Sequence, residues 1–250
     1  MQRMRNNRIQ HLYFVGIGGA GMSGIAEVLH ENGFKISGSD TGNGPVIQYL
    51  KSLGIQIFPE HKGENIGNAD LLVYSSAIQK DNPEIQEAQN RRIPIIRRAE
   101  MLGELMRLKY TLAIAGTHGK TTTTSLVGCI LETAEVDPTI IVGGIVKGKG
   151  SGAKVGRGNY LVAESDEFDR SFLSMMPSSA IITNIDEDHL DTYADLQEIK
   201  EAFVEFSNKV PFYGQIIVCL DDANVQSVLS RLRKPGVTYG FDRQAKYRIE

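Results

Sequence analysis

The chain has 250 residues, 41% of them hydrophobic and 23% charged, enough to bury one large core or two ordinary ones. A formal net charge of −3 argues against the basic footprint of a nucleic-acid-binding protein. No apolar run approaches the ~20 residues of a membrane helix, and no leader with an apolar core opens the chain.

Arg3, Arg5 and Arg8 read as a solvated tail. Residues 11–16 predict a buried strand, followed by a glycine-rich turn and a helix over 22–32 that ends at Gly33. Strands follow at 34–39, 55–58, 70–74 and 94–96, with helices at 46–53 and 82–90 between them. A helix over 99–108 carries the chain onward. A second unit then opens with a strand at 110–115, a phosphate-type loop and a helix over 121–132. Strands at 160–163, 179–183 and 216–220 and a helix over 196–210 complete it, and the chain stops inside a starting strand at 247–250. Residues 147–158, rich in glycine and lysine, read as a surface hairpin or a mobile loop.

Alternating strands and helices predict α/β architecture in two domains. Residues 1–108 form a Rossmann-like parallel-sheet domain, and residues 109–250 form a P-loop-type α/β ATPase domain, incomplete at its C-terminal end. The two cysteines, Cys129 and Cys219, stand far apart in apolar segments. They read as buried free thiols, in keeping with a cytoplasmic protein.

Two loops carry the chemistry. In the second domain, Gly116-Thr117-His118-Gly119-Lys120-Thr121-Thr122 joins a buried strand to a helix. Backbone N–H groups at such a helix start favour an anion. Lys120 can reach the β- and γ-phosphates of ATP, and the Thr121 hydroxyl can ligate Mg²⁺. The general pattern has a further glycine where Ile114 stands, so this is a shortened form. Glu164 ends the next strand, where ligands of parallel sheets gather. It is followed by Ser165, Asp166, Glu167 and Asp169, and one carboxylate of this group is a candidate Mg²⁺ ligand. His189 follows a later strand end and is a candidate for a second metal position or a phosphate contact.

In the first domain, Gly16-Ile17-Gly18-Gly19-Ala20-Gly21 fits G-x-G-x-x-G, with Asp40 at the end of the next strand. The plain reading is NAD, and an oxidoreductase is one alternative. A UDP-sugar satisfies the same physics, since only a pyrophosphate on a helix start and a ribose or base near Asp40 are required. A non-catalytic nucleotide-binding module is a third reading.

These residues resemble the Mur ligase family. The resemblance rests on residues 16–26, Tyr74-Ser75-Ser76-Ala77-Ile78, Arg97-Arg98-Ala99-Glu100-Met101-Leu102, residues 116–124, Ala163-Glu164-Ser165-Asp166-Glu167 and residues 184–193. The glycine segment with Met22 resembles the members that join L-alanine to UDP-N-acetylmuramate; a close variant is the murein-peptide recycling ligase. The resemblance implies UDP-sugar, ATPase and amino-acid domains, and an amide formed with the lactyl carboxylate through an acyl phosphate. It implies that Lys120 binds phosphates, that Thr121, Glu164 and His189 hold metal, and that Gly16, Gly18, Gly19, Gly21, Met22, Asp40, Ser75 and Ser76 contact the UDP-sugar. Lys200 sits where several family members carry a carbamylated lysine and reads here as an ordinary surface lysine. The family's adenine-contacting segment and amino-acid domain would lie beyond Glu250. This chain alone is therefore expected to bind its ligands without joining them.

Overall fold

The computed structural model describes residues 9–19, 21–144, 151–168, 170–188 and 191–250. They divide into two compact units, residues 1–101 with 141–155, and residues 102–140 with 156–250. The segment 141–155, beyond the boundary expected at Lys109, groups with the first unit. Among the described residues, no helix is long and apolar enough to cross a membrane.

In the first unit, strands β1 (His11–Val15), β2 (Lys35–Ser39), β3 (Gln56–Phe58), β4 (Leu71–Tyr74) and β5 (Ile95–Arg97) form one sheet in the order β3-β2-β1-β4-β5. Every pairing is parallel. All five residues of the central β1 are buried, as a strand covered on both faces requires. Helices α1 (Met22–Glu31), α2 (Pro45–Ser52) and α3 (Pro83–Asn90) connect the strands. Both α2 and α3 open on a proline, whose missing N–H costs nothing there. Asn82 caps α3 by accepting from the Glu84 and Ile85 N–H groups. Tyr13, Val15, Leu72 and Ile85 pack together in the core.

A polar cluster crosses this core. Glu84, fully buried, accepts from the Tyr13 hydroxyl at 2.6 Å and from the Ser39 hydroxyl at 2.7 Å. His61 Nδ1 lies 2.9 Å from Glu84 Oε2, and Asn65 donates to Oε1 at 3.2 Å. Burial and the Glu84 contact push the Tyr13 phenol far above its ordinary pKa.

At the start of β1, Asp70 Oδ2 accepts from the Gln10 and His11 N–H groups at 2.8 and 2.9 Å. Those two bonds hold its carboxyl below the ordinary value. A depressed folded pKa adds stability above the unfolded value of about 3.9 that is lost as pH falls through the folded one. The D70N variant is therefore expected to show a shallower acid limb when urea midpoints are followed from pH 6 to pH 2.

The segment 141–155 contains the two-residue strand β8 (Ala153–Lys154), which packs on α1. Buried Glu27 of α1 accepts from the Ser151 and Tyr49 hydroxyls. Gly24 gives the room: a Cβ there would lie 3.0 Å from the Gly152 carbonyl carbon. Residues 147–150 of the expected hairpin lie outside the described residues.

The chain passes into the second unit through α4 (Arg98–Met106). Its strands are β6 (Tyr110–Ala115), β7 (Thr139–Ile141), β9 (Tyr160–Glu164), β10 (Ser179–Ile182), β11 (Ile216–Cys219), β12 (Val237–Gly240) and β13 (Tyr247–Arg248). They run in the order β13-β12-β11-β10-β6-β9-β7, and the pairings from β13 to β9 are parallel. The helices are α5 (Lys120–Thr133), α6 (Leu196–Asn208) and α7 (Ala223–Val228). Asp195 and Asp222 cap the last two through their side chains. Phe203 and Phe206 of α6 pack on Phe172 with ring centroids 5.4 and 4.9 Å apart. Lys200 is half-buried on this helix.

The expectation of buried thiols is corrected here. Cys129 is exposed and Cys219 half-buried, both free. In α5 the inward positions are Thr124 and Gly128, where a Cβ on Gly128 would lie 2.5 Å from Ile140 Cδ1. That register turns Leu126, Cys129 and Ile130 outward.

Candidate functional site

The loop after β6 is shaped by two glycines. Gly116 has φ +144°, and a Cβ there would collide with Thr183 Oγ1. Gly119, at φ +81°, is the N-cap of α5 and supplies no side-chain cap, which leaves the helix start to an anion. The residues after β10 brace the loop from the side. Asn184 O accepts from the Thr117 N–H at 3.2 Å, and Asn184 Oδ1 accepts from the His118 N–H at 2.8 Å. The Asp186 N–H donates to Thr117 Oγ1 at 2.9 Å. His118 itself is exposed, with Nε2 3.6 Å from Asp186 Oδ2.

The Lys120 ammonium turns back over this loop. It donates to Gly116 O at 2.8 Å and Thr117 O at 3.3 Å. It also meets both oxygens of Glu167, at 2.9 and 3.1 Å, and lies 3.5 Å from Asp166 Oδ1. Glu167 is 1% exposed. Its backbone carbonyl accepts from the buried Tyr193 hydroxyl at 2.7 Å and from the Arg170 N–H at 2.9 Å. Burial raises the Glu167 carboxyl above its ordinary value, against the pull of Lys120.

One residue on, the Thr121 hydroxyl donates to Glu164 Oε1 at the end of β9. A hydroxyl and a carboxylate at one point suit Mg²⁺, which takes oxygen donors and keeps several waters. Among the described residues, no group of three or more His, Cys, Asp or Glu could hold a metal ion. His189, expected at a second metal position, lies outside the described residues, as does Asp169. Thr122 is exposed at the start of α5.

The first unit builds a second cradle, described residues 16–19 and 21; Ala20 lies outside them. The Gly16 N–H donates to Ser39 O at 2.8 Å, and the Gly19 N–H to Gly16 O at 3.1 Å. A Cβ on Gly18 would lie 2.6 Å from Ile47 Cδ1. Gly21, at φ +73°, caps α1 without a side chain. Ser75 stands beside Gly16, and Ser76 next to it is exposed.

Two residues expected at the sugar nucleotide also take part in the structure of the loop. Both oxygens of Asp40 already accept backbone N–H groups, from Gly18 and Gly42, each at 2.8 Å. This carboxylate therefore shapes the loop. Met22 is fully buried, and its Cγ lies 3.7 Å from where a Gly19 Cβ would stand. Arg98, which no local sequence signal singles out, places its Nη1 3.1 Å from where a Gly21 Cβ would stand. It brings a guanidinium to the start of α1.

Residues 11–110 match the model described as "Mur ligase family, catalytic domain", and residues 114–250 match "Mur ligase middle domain". The chain is 55% identical, over 96% of its length, to a UDP-N-acetylmuramate–L-alanine ligase of Geobacter sp., covering 52% of that protein. It is 50% identical, again over 96%, to the Neisseria gonorrhoeae protein of the same name, covering 51% of it. The chain thus spans about half the length of the curated relatives it matches. Among solved structures, the UDP-N-acetylmuramate-alanine ligase MurC of Thermotoga maritima aligns with a TM-score of 0.80 and 33% identity, over 92% of this chain and 52% of that one. The Neisseria UDP-N-acetylmuramate:L-alanyl-gamma-D-glutamyl-meso-diaminopimelate ligase aligns with a TM-score of 0.84 and 28% identity, over 92% and 78%. Two consecutive family models account for nearly every residue from His11 to Glu250, and the chain belongs to the Mur ligase family.

Proposed function

We propose that this chain is the nucleotide-binding part of an ATP-dependent ligase that joins L-alanine to the lactyl carboxylate of UDP-N-acetylmuramate in the cytoplasm. The observation that carries this reading is the convergence of Lys120 and the Thr121–Glu164 pair at the uncapped start of α5. Two anions, a carboxylate and a γ-phosphate, must be brought together, and their repulsion is the main obstacle. A preorganised ammonium and helix start stabilise the charge that spreads over the transferring group. Thr121 and Glu164 would hold Mg²⁺, which neutralises phosphate charge when bound. Phosphoryl transfer to the carboxylate gives an acyl phosphate; the amine of L-alanine attacks it, and phosphate leaves as the amide forms.

The first cradle is the proposed site for the uridine diphosphate of the sugar nucleotide. Gly16, Gly18, Gly19 and Gly21 let the backbone approach the pyrophosphate, Ser75 and Ser76 flank it, and Arg98 adds a cation. An R98A variant is expected to bind UDP-N-acetylmuramate about tenfold more weakly, the scale of one charge-assisted hydrogen bond, as read by calorimetry.

An oxidoreductase reading leaves Lys120, Thr121 and Glu164 without roles. The direct test is titration of this chain with UDP-N-acetylmuramate, Mg-ATP and NADH. The reading expects saturable binding of the first two, and NADH binding alone would overturn it. The full-length protein, supplied with ATP and UDP-N-acetylmuramate, is expected to use L-alanine in preference to a peptide. The reverse preference would assign it to murein-peptide recycling.

A further inference from the structure

The pair formed by Lys120 and Glu167 is not explained by the phosphate-loop reading, which asks only for the lysine. Glu167 is 1% exposed, and both its oxygens face the ammonium. Its main chain is pinned by Tyr193 and Arg170. Tyr193 is itself buried under the Arg170 guanidinium, which lies 5.2 Å from the ring centroid and pairs with Glu198 at 2.6 Å. A buried carboxylate held this firmly is costly unless it is paired. Lys120 has three donors, and in this structure they point to two loop carbonyls and to Glu167.

We propose that Glu167 is a positioning residue: it holds Lys120 folded over the phosphate loop as a counter-ion, and an incoming triphosphate must draw the lysine away from it. This rests on the assignment of the loop to ATP. Each anion that claims the ammonium weakens the hold of the other, so nucleotide affinity is set by a competition inside the protein. The pairing keeps Lys120 folded and largely desolvated at the loop before nucleotide arrives. It also makes release of the product nucleotide easier than the loop alone would.

The test is a cycle of four proteins, wild type, E167Q, K120A and K120A/E167Q, titrated calorimetrically with Mg-ATP up to millimolar concentration at a temperature where all four are folded by circular dichroism. E167Q is expected to bind Mg-ATP about tenfold more tightly than wild type, within the usual range of coupling between two sites. The same change in the K120A background is expected to leave affinity unaltered, because the competed group is gone. A purely structural role for Glu167 would move affinity alike in both backgrounds, and that result overturns the proposal. So does weaker or unchanged binding by E167Q. If E167Q does not fold, E167D serves in its place: the shorter side chain loosens the pair, and tighter binding is again expected only when Lys120 is present. Failure of wild type to bind Mg-ATP would instead refute the assignment of the loop.

Discussion

Alanine at position 120 is expected to lower ATP-dependent amide formation by the full-length ligase by about 10²–10³-fold, the loss typical of one preorganised donor to a transition-state charge. The affinity for UDP-N-acetylmuramate is expected to stay within about twofold, since binding groups that share no partners act independently. The residues proposed to bind it belong to the other compact unit. The substitution has a second consequence. Lys120 is the counter-ion of a carboxylate that is 1% exposed, and removing one partner of a buried pair costs about 3–5 kcal/mol. Loss of activity in K120A could therefore be misread as misfolding or mask it. The double variant K120A/E167Q separates the two, because it is expected to recover most of the lost stability and none of the turnover. Chemical denaturation alongside a phosphate-release assay checks both. Recovery of turnover by the double variant would show that Lys120 does not act on the phosphates.

The E84A variant is expected to have the largest effect on the first unit. Glu84 has no exposed surface and gathers Tyr13, Ser39, His61 and Asn65. Removing it takes the close acceptor from the buried Tyr13 and Ser39 hydroxyls, leaving Ser39 only His61 Nδ1 at 2.9 Å; an unsatisfied buried hydroxyl costs about 1–3 kcal/mol, besides the void. A loss of about 3–5 kcal/mol is expected, measured as a shift of the urea midpoint. The damage is not confined to stability. The Ser39 carbonyl accepts from the Gly16 and Ile17 N–H groups at 2.8 and 3.1 Å, so the same cluster fixes the entrance to the first cradle. E84Q keeps the shape and one acceptor oxygen, and is expected to lose less. Equal stability of E84A and wild type would show that the cluster is not a support.

The contrast between legible and hidden features follows from the range of the interactions. Lys120, Thr121 and Glu164 could be picked out because local spacing places them at a helix start and a strand end. The match of Glu167 to Lys120 joins residues 47 apart in the chain, and from sequence Glu167 was one acid among several. Glu84 looked like an ordinary acid in the first turn of a helix; nothing nearby announces that Tyr13 lies against it. Asp40 is legible from its position at a strand end, whereas its bonds to the Gly18 and Gly42 N–H groups exist only in the folded chain. The short strands β7 and β12 follow Pro138 and Pro235-Gly236, whose turn signals overshadow three or four apolar-rich residues. Cys129 stands in an apolar segment yet is exposed, because helical register, rather than hydrophobicity, decides which way a residue of α5 faces.

The strand order has one more implication. Both glycine-rich loops leave interior strands, β1 between β2 and β4, and β6 between β10 and β9. The rims are short: three residues in β3 and β5, two in β13. Thermal breathing at those rims peels away backbone outside both loops. Insertions, tags or evolutionary drift can accumulate along the margins while the amides of the two loops stay among the slowest to exchange with heavy water.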